Sequence, residues 1–298
     1  MSHLINFDAL AARMQSRRRT PLHLVLDVHG LLLERAQAGS SRHKAAREFR
    51  RPWRTFHRRQ AVWLRPYLRM FLSVMFERHT IAIWTSAEER NITPVLDAIS
   101  KEYELQPGIL HTIQFAWHRN RCRPDRATGK YASIKSLRDL WEDRHHGRYF
   151  TPSNTLLIDD SYTKVRLFPP SAIVVPAYSA SEMGPVFEND DTLPWLILYI
   201  EYLADRVERF GNVFDARMDC ASFEQFCIMG RSQASTSAGG GRRPKTLAHV
   251  FLGNLKGMRG FEEVPRDHKP ADTETDRRLL AQGGNNAPYG KDSGFQTV

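Results

Sequence analysis

The chain has 298 residues, 41% of them hydrophobic and 26% charged, with a mean hydropathy of −0.48; that suffices for one substantial core with polar ends. No run of about 18 apolar residues marks a membrane-spanning helix, and no apolar segment ahead of a small-residue cleavage site marks a secretory signal. Three cysteines (Cys122, Cys220, Cys227) without a CxxC pair argue against structural zinc and a disulfide framework, while the net charge of +10 points to a polyanionic partner such as nucleic acid, a phosphoprotein or an acidic membrane, or else to a basic surface that only confers solubility.

Residues 1–20 form an N-terminal extension in which Phe7, Leu10, Ala11 and Met14 have helical spacing ahead of Arg17, Arg18 and Arg19. A mitochondrial presequence has this look as well, but Asp8 and the immediate onset of a strand argue against it. The run Leu22 to Leu33 is the centre of the chain. Its apolar residues predict a buried strand that delivers Asp27 to a turn, and Gly30 lets the chain bend there. A carboxylate at the end of a buried parallel strand is both rigid and accessible, because ligands bind in the crevice at the carboxyl ends of such strands.

From Arg42 to Arg59 eight basic residues face one acid, Glu48, with Trp53, Phe56 and His57 interleaved. The stretch is either a solvated surface loop or a cationic rim that grips phosphates, with Arg50, Arg51 and Arg54 as its candidates. Leu64, Leu68, Phe71, Leu72, Met75 and Phe76 then predict a helix with one buried face and Pro66 in its first turn. Thr80 to Thr85 predicts a central strand. Ser86 and Glu89 have the spacing of a helix capping box, and Val95, Leu96 and Ile99 continue that helix. Ile113 to Trp117 predicts a further strand, and Arg119 to Lys130 is polar and basic. Tyr131, Ile134, Leu137 and Trp141 share a helical face with Lys135 beside it, where a lone lysine is ordinarily solvated.

Thr155 to Ile158 predicts the third strand, ending in Asp159 and Asp160. Adjacent carboxylates repel unless a cation or basic group compensates them. Ala172 to Val175 predicts a fourth strand. Asp191, Thr192 and Pro194 open a helix carrying Trp195, Leu196, Leu198, Tyr199 and Leu203. The expected organisation is a domain over 21–210, a short appended segment at 211–230 and a mostly disordered, basic tail over 231–298, with a short docking segment at Leu247–Leu255.

Strands alternating with helices predict an α/β fold, a three-layer sandwich around a parallel sheet with a small insertion after the second strand. Asp27, Thr85 and the Asp159–Asp160 pair then converge on one crevice. Hard carboxylate oxygens suit Mg²⁺, a hydroxyl and a lysine suit phosphoryl oxygens, and an aspartate nucleophile would form an aspartyl-phosphate.

At this point the chain resembles the haloacid dehalogenase superfamily, and within it the RNA polymerase II C-terminal-domain phosphatase-like (NLI-interacting-factor-like) domain. The likeness runs from about Leu22 to Tyr178. It is carried by Leu24-Val-Leu-Asp27-Val-His-Gly30, Val62-Trp-Leu-Arg65-Pro66, Ile83-Trp-Thr85-Ser86, Tyr131-Ala-Ser-Ile-Lys135 and Leu156-Leu-Ile-Asp159-Asp160-Ser161. The resemblance implies Asp27 as nucleophile and Mg²⁺ ligand, Thr85 binding phosphate, Lys135 neutralising it, and Asp159 with Asp160 completing the metal site. It departs at two positions: the family's second aspartate, its general acid, is His29 here, and the family's Thr/Val position is Leu31. General acid help is worth about 10²–10⁴-fold.

Three readings follow. One is a Mg²⁺-dependent Ser/Thr phosphoprotein phosphatase weakened or retuned by His29. Another is a pseudophosphatase that binds phosphorylated or acidic partners. The third is a relative of the receptor subunit of the mitochondrial inner-membrane import translocase. The first two imply a nuclear or cytoplasmic protein.

Overall fold

The computed structural model describes residues 5, 10, 20–49, 52–56, 59–103, 109–129, 132–182 and 190–237. The expectations for most of the N-terminal extension, for Arg50, Arg51 and Tyr131, and for the chain beyond 237 fall outside the described residues.

The first half of the chain contains β1 (His23–Leu26), β2 (Leu33–Gln37), α1 (Ser41–Phe49), β3 (Arg54–Phe56), β4 (Gln60–Leu64), α2 (Leu68–Arg78), β5 (Thr80–Trp84) and α3 (Glu89–Glu102). An irregular stretch follows with α4 (Ile109–Thr112), β6 (Ala116–Trp117), β7 (Arg123–Pro124), β8 (Ser133–Ile134) and α5 (Leu137–Trp141). Then come β9 (Thr155–Asp159), α6 (Tyr162–Val165), β10 (Ala172–Val174), α7 (Thr192–Phe210), α8 (Val213–Met218) and α9 (Phe223–Ser237).

Five parallel strands form the central sheet in the order β10–β9–β1–β5–β6. Because strand side chains alternate between faces, Leu24, Leu26, Ile81, Ile83, Leu156 and Ile158 pack on one side, in the large core built with α2, α3, α7 and α9. Val25, Ala82, Trp84 and Leu157 point to the other side, where Phe115, Trp117, Leu137, Leu140 and Phe150 cover them. Apolar residues on both faces explain the near-continuous hydrophobic runs that make these strands legible. The expected α/β layering around a parallel sheet is present. The insertion after the second strand is small and holds the antiparallel pair β7–β8.

Several local expectations are corrected. The basic stretch is not a loop: it contains α1 and β3, and β2–β4–β3 form a separate antiparallel sheet. Ala36, Ala46, Ala61, Trp63, Tyr178 and Ala180 make a small core beneath it. Leu64 closes β4 rather than opening a helix; Pro66 and Tyr67, with φ of 64°, turn the chain before α2 begins at Leu68. Ser86 does not cap α3, which starts at Glu89. Instead Thr85 Oγ1 accepts the Ala87 N–H, and the Arg119 N–H bonds the Ala87 carbonyl, so the loop is already tied before the helix starts. Lys135 lies in extended chain between β8 and α5, and not on a helix. Lastly, α9 runs across residue 230, and Phe223, Phe226 and Cys227 belong to the main core.

Candidate active site

Register brings the carboxylates together. β1 pairs with β9 so that Leu26 lies opposite Ile158; the Asp27 N–H then bonds the Ile158 carbonyl at 2.9 Å. Asp27 and Asp159 therefore emerge side by side at the carboxyl ends of adjacent strands, with side chains 1% and 0% exposed. Two buried carboxylates so placed need a cation. Lys135 supplies it. Its Nζ, fully buried, lies 2.6 Å from Asp27 Oδ1 and 2.5 Å from Asp159 Oδ2. The solvated lysine expected from the residues alone is thus as enclosed as the two carboxylates it binds.

A second ammonium completes the cluster. Lys164 Nζ lies 3.5 Å from Asp159 Oδ1, 3.5 Å from Asp160 Oδ1 and 3.9 Å from Asp27 Oδ2. Its own carbonyl accepts the Lys135 N–H at 2.8 Å, so one residue steadies both the carboxylates and the segment that carries Lys135. The sequence reading missed Lys164. The available signal was its place four residues after Asp160, in the first turn beyond a strand end.

Three carboxylates and two ammonium groups leave one negative charge uncompensated. Burial pushes the Asp27 carboxyl up, against the pull of Lys135. Burial also opposes ionisation of Asp159, but Lys135, Lys164 and the Ser161 N–H hold it below the usual carboxylate range. Asp160 is pushed up to about 6 by burial, with Lys164 opposing. For Lys164 the three carboxylates outweigh burial and raise the ammonium.

The turn after Asp27 is fixed from beneath. Gly30 has φ of 86°, and a Cβ there would meet Asp160 Oδ2 at 2.0 Å; glycine is required both for the conformation and for the close approach. The buried guanidinium of Arg65 donates to the carbonyls of Gly30, Leu31 and Pro176 and to Asp190 Oδ2, at 3.2, 3.1, 2.9 and 2.8 Å. Arg65 is a further site-building residue to which the sequence alone assigned no role.

His29 is half-buried, and burial lowers its pKa. Its Nε2 lies 3.3 Å from the Arg35 N and 3.4 Å from the Arg35 carbonyl. Unprotonated Nε2 can accept the Arg35 N–H, with the ring proton on Nδ1, whereas protonated Nε2 can donate to the Arg35 carbonyl. Thr85 is buried at the end of β5, next to β1. Since its Oγ1 accepts the Ala87 N–H, its own hydroxyl proton remains free to donate. Arg119 Nη1 approaches the Ser86 carbonyl at 3.5 Å, which puts an exposed guanidinium on the Thr85 loop. Arg54, expected on a substrate rim, pairs with Glu102 at 2.8 Å and lies over Trp53.

The donor set suits a hard cation. Asp27, Asp159 and Asp160 each offer an oxygen within 4.8 Å of the others, and buried Asp27 Oδ2 and Asp160 Oδ1 have no hydrogen-bond partner. Carboxylate-only donors fit Mg²⁺.

A parallel sheet whose strand ends present an aspartate cluster clamped by a buried lysine is the arrangement expected of a haloacid dehalogenase-type domain. Residues 22–211 match the family described as NLI interacting factor-like phosphatase, and the chain belongs to that family. An uncharacterized FCP1 homology domain-containing protein of Schizosaccharomyces pombe is 27% identical over 185 residues, covering 60% of this chain and 70% of that protein. Among solved structures, Fcp1, an essential RNA polymerase II CTD phosphatase, aligns with TM-score 0.37 and 16% identity over 83% of this chain and 73% of that one. A variant of fission yeast Fcp1 bound to beryllium fluoride gives TM-score 0.35 and 14% identity over the same shares. No helix among the described residues is long and apolar enough to cross a membrane.

Proposed function

We propose that this chain is a Mg²⁺-dependent protein serine/threonine phosphatase with Asp27 as nucleophile, slowed at departure of the leaving group. The observation that carries the reading is Asp27 itself: a rigid, buried carboxylate with Oδ1 tied to Lys135 and Oδ2 without a hydrogen-bond partner. Family membership supports it.

In the first step an Asp27 oxygen bonds phosphorus as the bond to the serine or threonine oxygen breaks, giving an aspartyl-phosphate. The serine or threonine oxygen takes a proton from solvent as it leaves; water then bonds phosphorus and gives up a proton to solvent, the Asp27–phosphorus bond breaks, and inorganic phosphate leaves with the Asp27 carboxylate restored. Lys135 opposes the burial that disfavours an ionised Asp27 and orients its Oδ1, and the Thr85 hydroxyl donates to a phosphoryl oxygen. Mg²⁺, held by Asp27 and Asp160 with Asp159 beside them, would neutralise charge on the phosphoryl oxygens. His29 takes the position of the general acid in the family motif, two residues after Asp27. Burial keeps its imidazole neutral and the Arg35 backbone occupies Nε2, so it is a poor acid at pH 7. Leaving groups of high pKa, such as serine and threonine, suffer most, by about 10²–10⁴-fold; aryl phosphates suffer least. The substrate class is a phosphorylated protein, met in the nucleus or cytoplasm and gripped at its acidic flank by the exposed arginines.

The same engagement of His29 favours a second reading, a pseudophosphatase that binds phosphorylated partners without turnover. Assay of the wild type, Asp27→Asn and His29→Asp with Mg²⁺ separates the two. The proposal expects turnover of an aryl phosphate that Asp27→Asn abolishes, and a gain on phosphoserine peptide in His29→Asp. An Asp27→Asn protein as active as wild type would overturn it. Silence from the wild type with activity in His29→Asp would favour the pseudophosphatase.

A further inference from the structure

Lys164 stands in a peculiar place. Among the described residues it alone brings a side-chain cation within 4 Å of all three carboxylates that could hold a divalent ion, at 3.5–3.9 Å from an oxygen of each. Two of those oxygens, Asp27 Oδ2 and Asp160 Oδ1, are buried and accept no hydrogen bond, so the ammonium neutralises them without satisfying them. Lys135 differs in kind. It is fully buried and hydrogen-bonded at 2.5–2.6 Å, a fixed part of the core. Lys164 reaches in from the surface with a side chain 22% exposed, and its anchoring to the fold is through its backbone: its N–H bonds the Ser161 carbonyl and its carbonyl accepts the Lys135 N–H. The side chain can leave the carboxylates without breaking either bond.

We infer that Lys164 is a built-in counter-cation that competes with Mg²⁺ for the oxygens of Asp27, Asp159 and Asp160, so that metal loading requires its ammonium to swing outward. This rests on the metal-dependent reading above and adds to it a determinant of metal affinity. A site holding both ions would carry one positive charge too many beside Lys135, and like charges about 4 Å apart repel strongly away from bulk water. Displacement of Lys164 relieves this and leaves its ammonium free to meet an incoming phosphate.

The test is Mg²⁺ affinity by isothermal titration calorimetry on the full chain, with no substrate present. Lys164→Met should bind Mg²⁺ at least ~10-fold more tightly than wild type, while Lys164→Arg, which keeps the cation, stays weak. Thermal melts check that each variant is folded. On the unaltered protein, acetylation of Lys164 by an amine-reactive ester, normalised to exposed Lys101 and read by mass spectrometry, should rise on adding Mg²⁺. Equal Mg²⁺ affinity in wild type and Lys164→Met, or acetylation indifferent to Mg²⁺, overturns the competition and leaves the metal-dependent reading standing. Failure of both proteins to bind Mg²⁺ overturns the metal reading and this inference with it.

Discussion

Replacing Lys135 by methionine removes the buried cation and leaves its length. Asp27 and Asp159 then face each other at adjacent strand ends with Lys164 as the one ammonium left nearby among the described residues, at 3.9 and 3.5 Å. Removing one partner from a buried charge pair costs about 3–5 kcal/mol, a large fraction of the roughly 5–15 kcal/mol that holds a domain folded. With about 2–4 °C lost per kcal/mol in a domain of this size, Tm should fall by on the order of 10 °C. The measurement that isolates the interaction is a double-mutant cycle with Asp159→Asn, followed by urea denaturation. Asp159→Asn removes one of the two carboxylates, so Lys135→Met should cost at least ~1 kcal/mol less in that background. Effects that add within about 0.5 kcal/mol would refute the reasoning, since Lys135 would then stabilise by packing alone.

Glu201 makes a second buried ionic node, accepting from Arg78 at two points, both 2.7 Å, with His79 Nε2 at 3.1 Å. Despite burial, these partners hold its carboxyl down, from an ordinary 4.5 to about 2. A depressed carboxylate contributes stability that is fully present above its unfolded pKa and lost as pH falls through the folded one; the window is pH 4.5 to 2, and the shift is worth about 3 kcal/mol. Glu201→Gln should lower stability at pH 7 by about that amount and flatten the fall in Tm below pH 4.5, as followed by circular dichroism; an unchanged acid limb would count against the pairing. Gly30→Ala meets both φ of 86° and Asp160 Oδ2. It should cost about 1–2 kcal/mol in stability and, by displacing Asp160, weaken Mg²⁺ binding more than Tm alone suggests; Mg²⁺ titration beside a thermal melt checks both.

The strand ends were legible because burial on both faces writes itself as uninterrupted apolar residues. Leu24 to Leu26, Ile81 to Trp84 and Leu156 to Ile158 each lead to a polar side chain, and those side chains converge. The β2–β4–β3 sheet was hidden. Glu34 is buried, yet it reads as a surface residue until Ser181, far along the chain, donates to it at 3.1 and 3.2 Å. Leu64 misled for another reason: its spacing to Leu68 and Leu72 suits a helix, and only the turn at Pro66 and Tyr67 separates it. Lys135 could be assigned by family resemblance, but its burial could not be read locally, because both of its carboxylates come from other strands. Lys164 and Arg65 share that difficulty. Their partners are set by three-dimensional convergence at the end of the sheet, and no periodicity records it.

The placement of β1 in the sheet also governs the order in which a new chain can assemble. Its register joins His23 to Thr80 on one side and to Thr155 on the other, so the second neighbour is synthesised on the order of 130 residues after the first strand. At about 5–20 residues per second, a ribosome needs roughly 7–25 s to cover that distance. Throughout this interval an apolar strand has an open edge, and for most of it Asp27 lacks the Lys135 that will neutralise it. The carboxylate that the finished fold must compensate is then a solvated charge beside that edge, where it discourages pairing with another nascent chain. The residue placed to attack phosphorus in the mature protein can thus serve as a gatekeeper during synthesis.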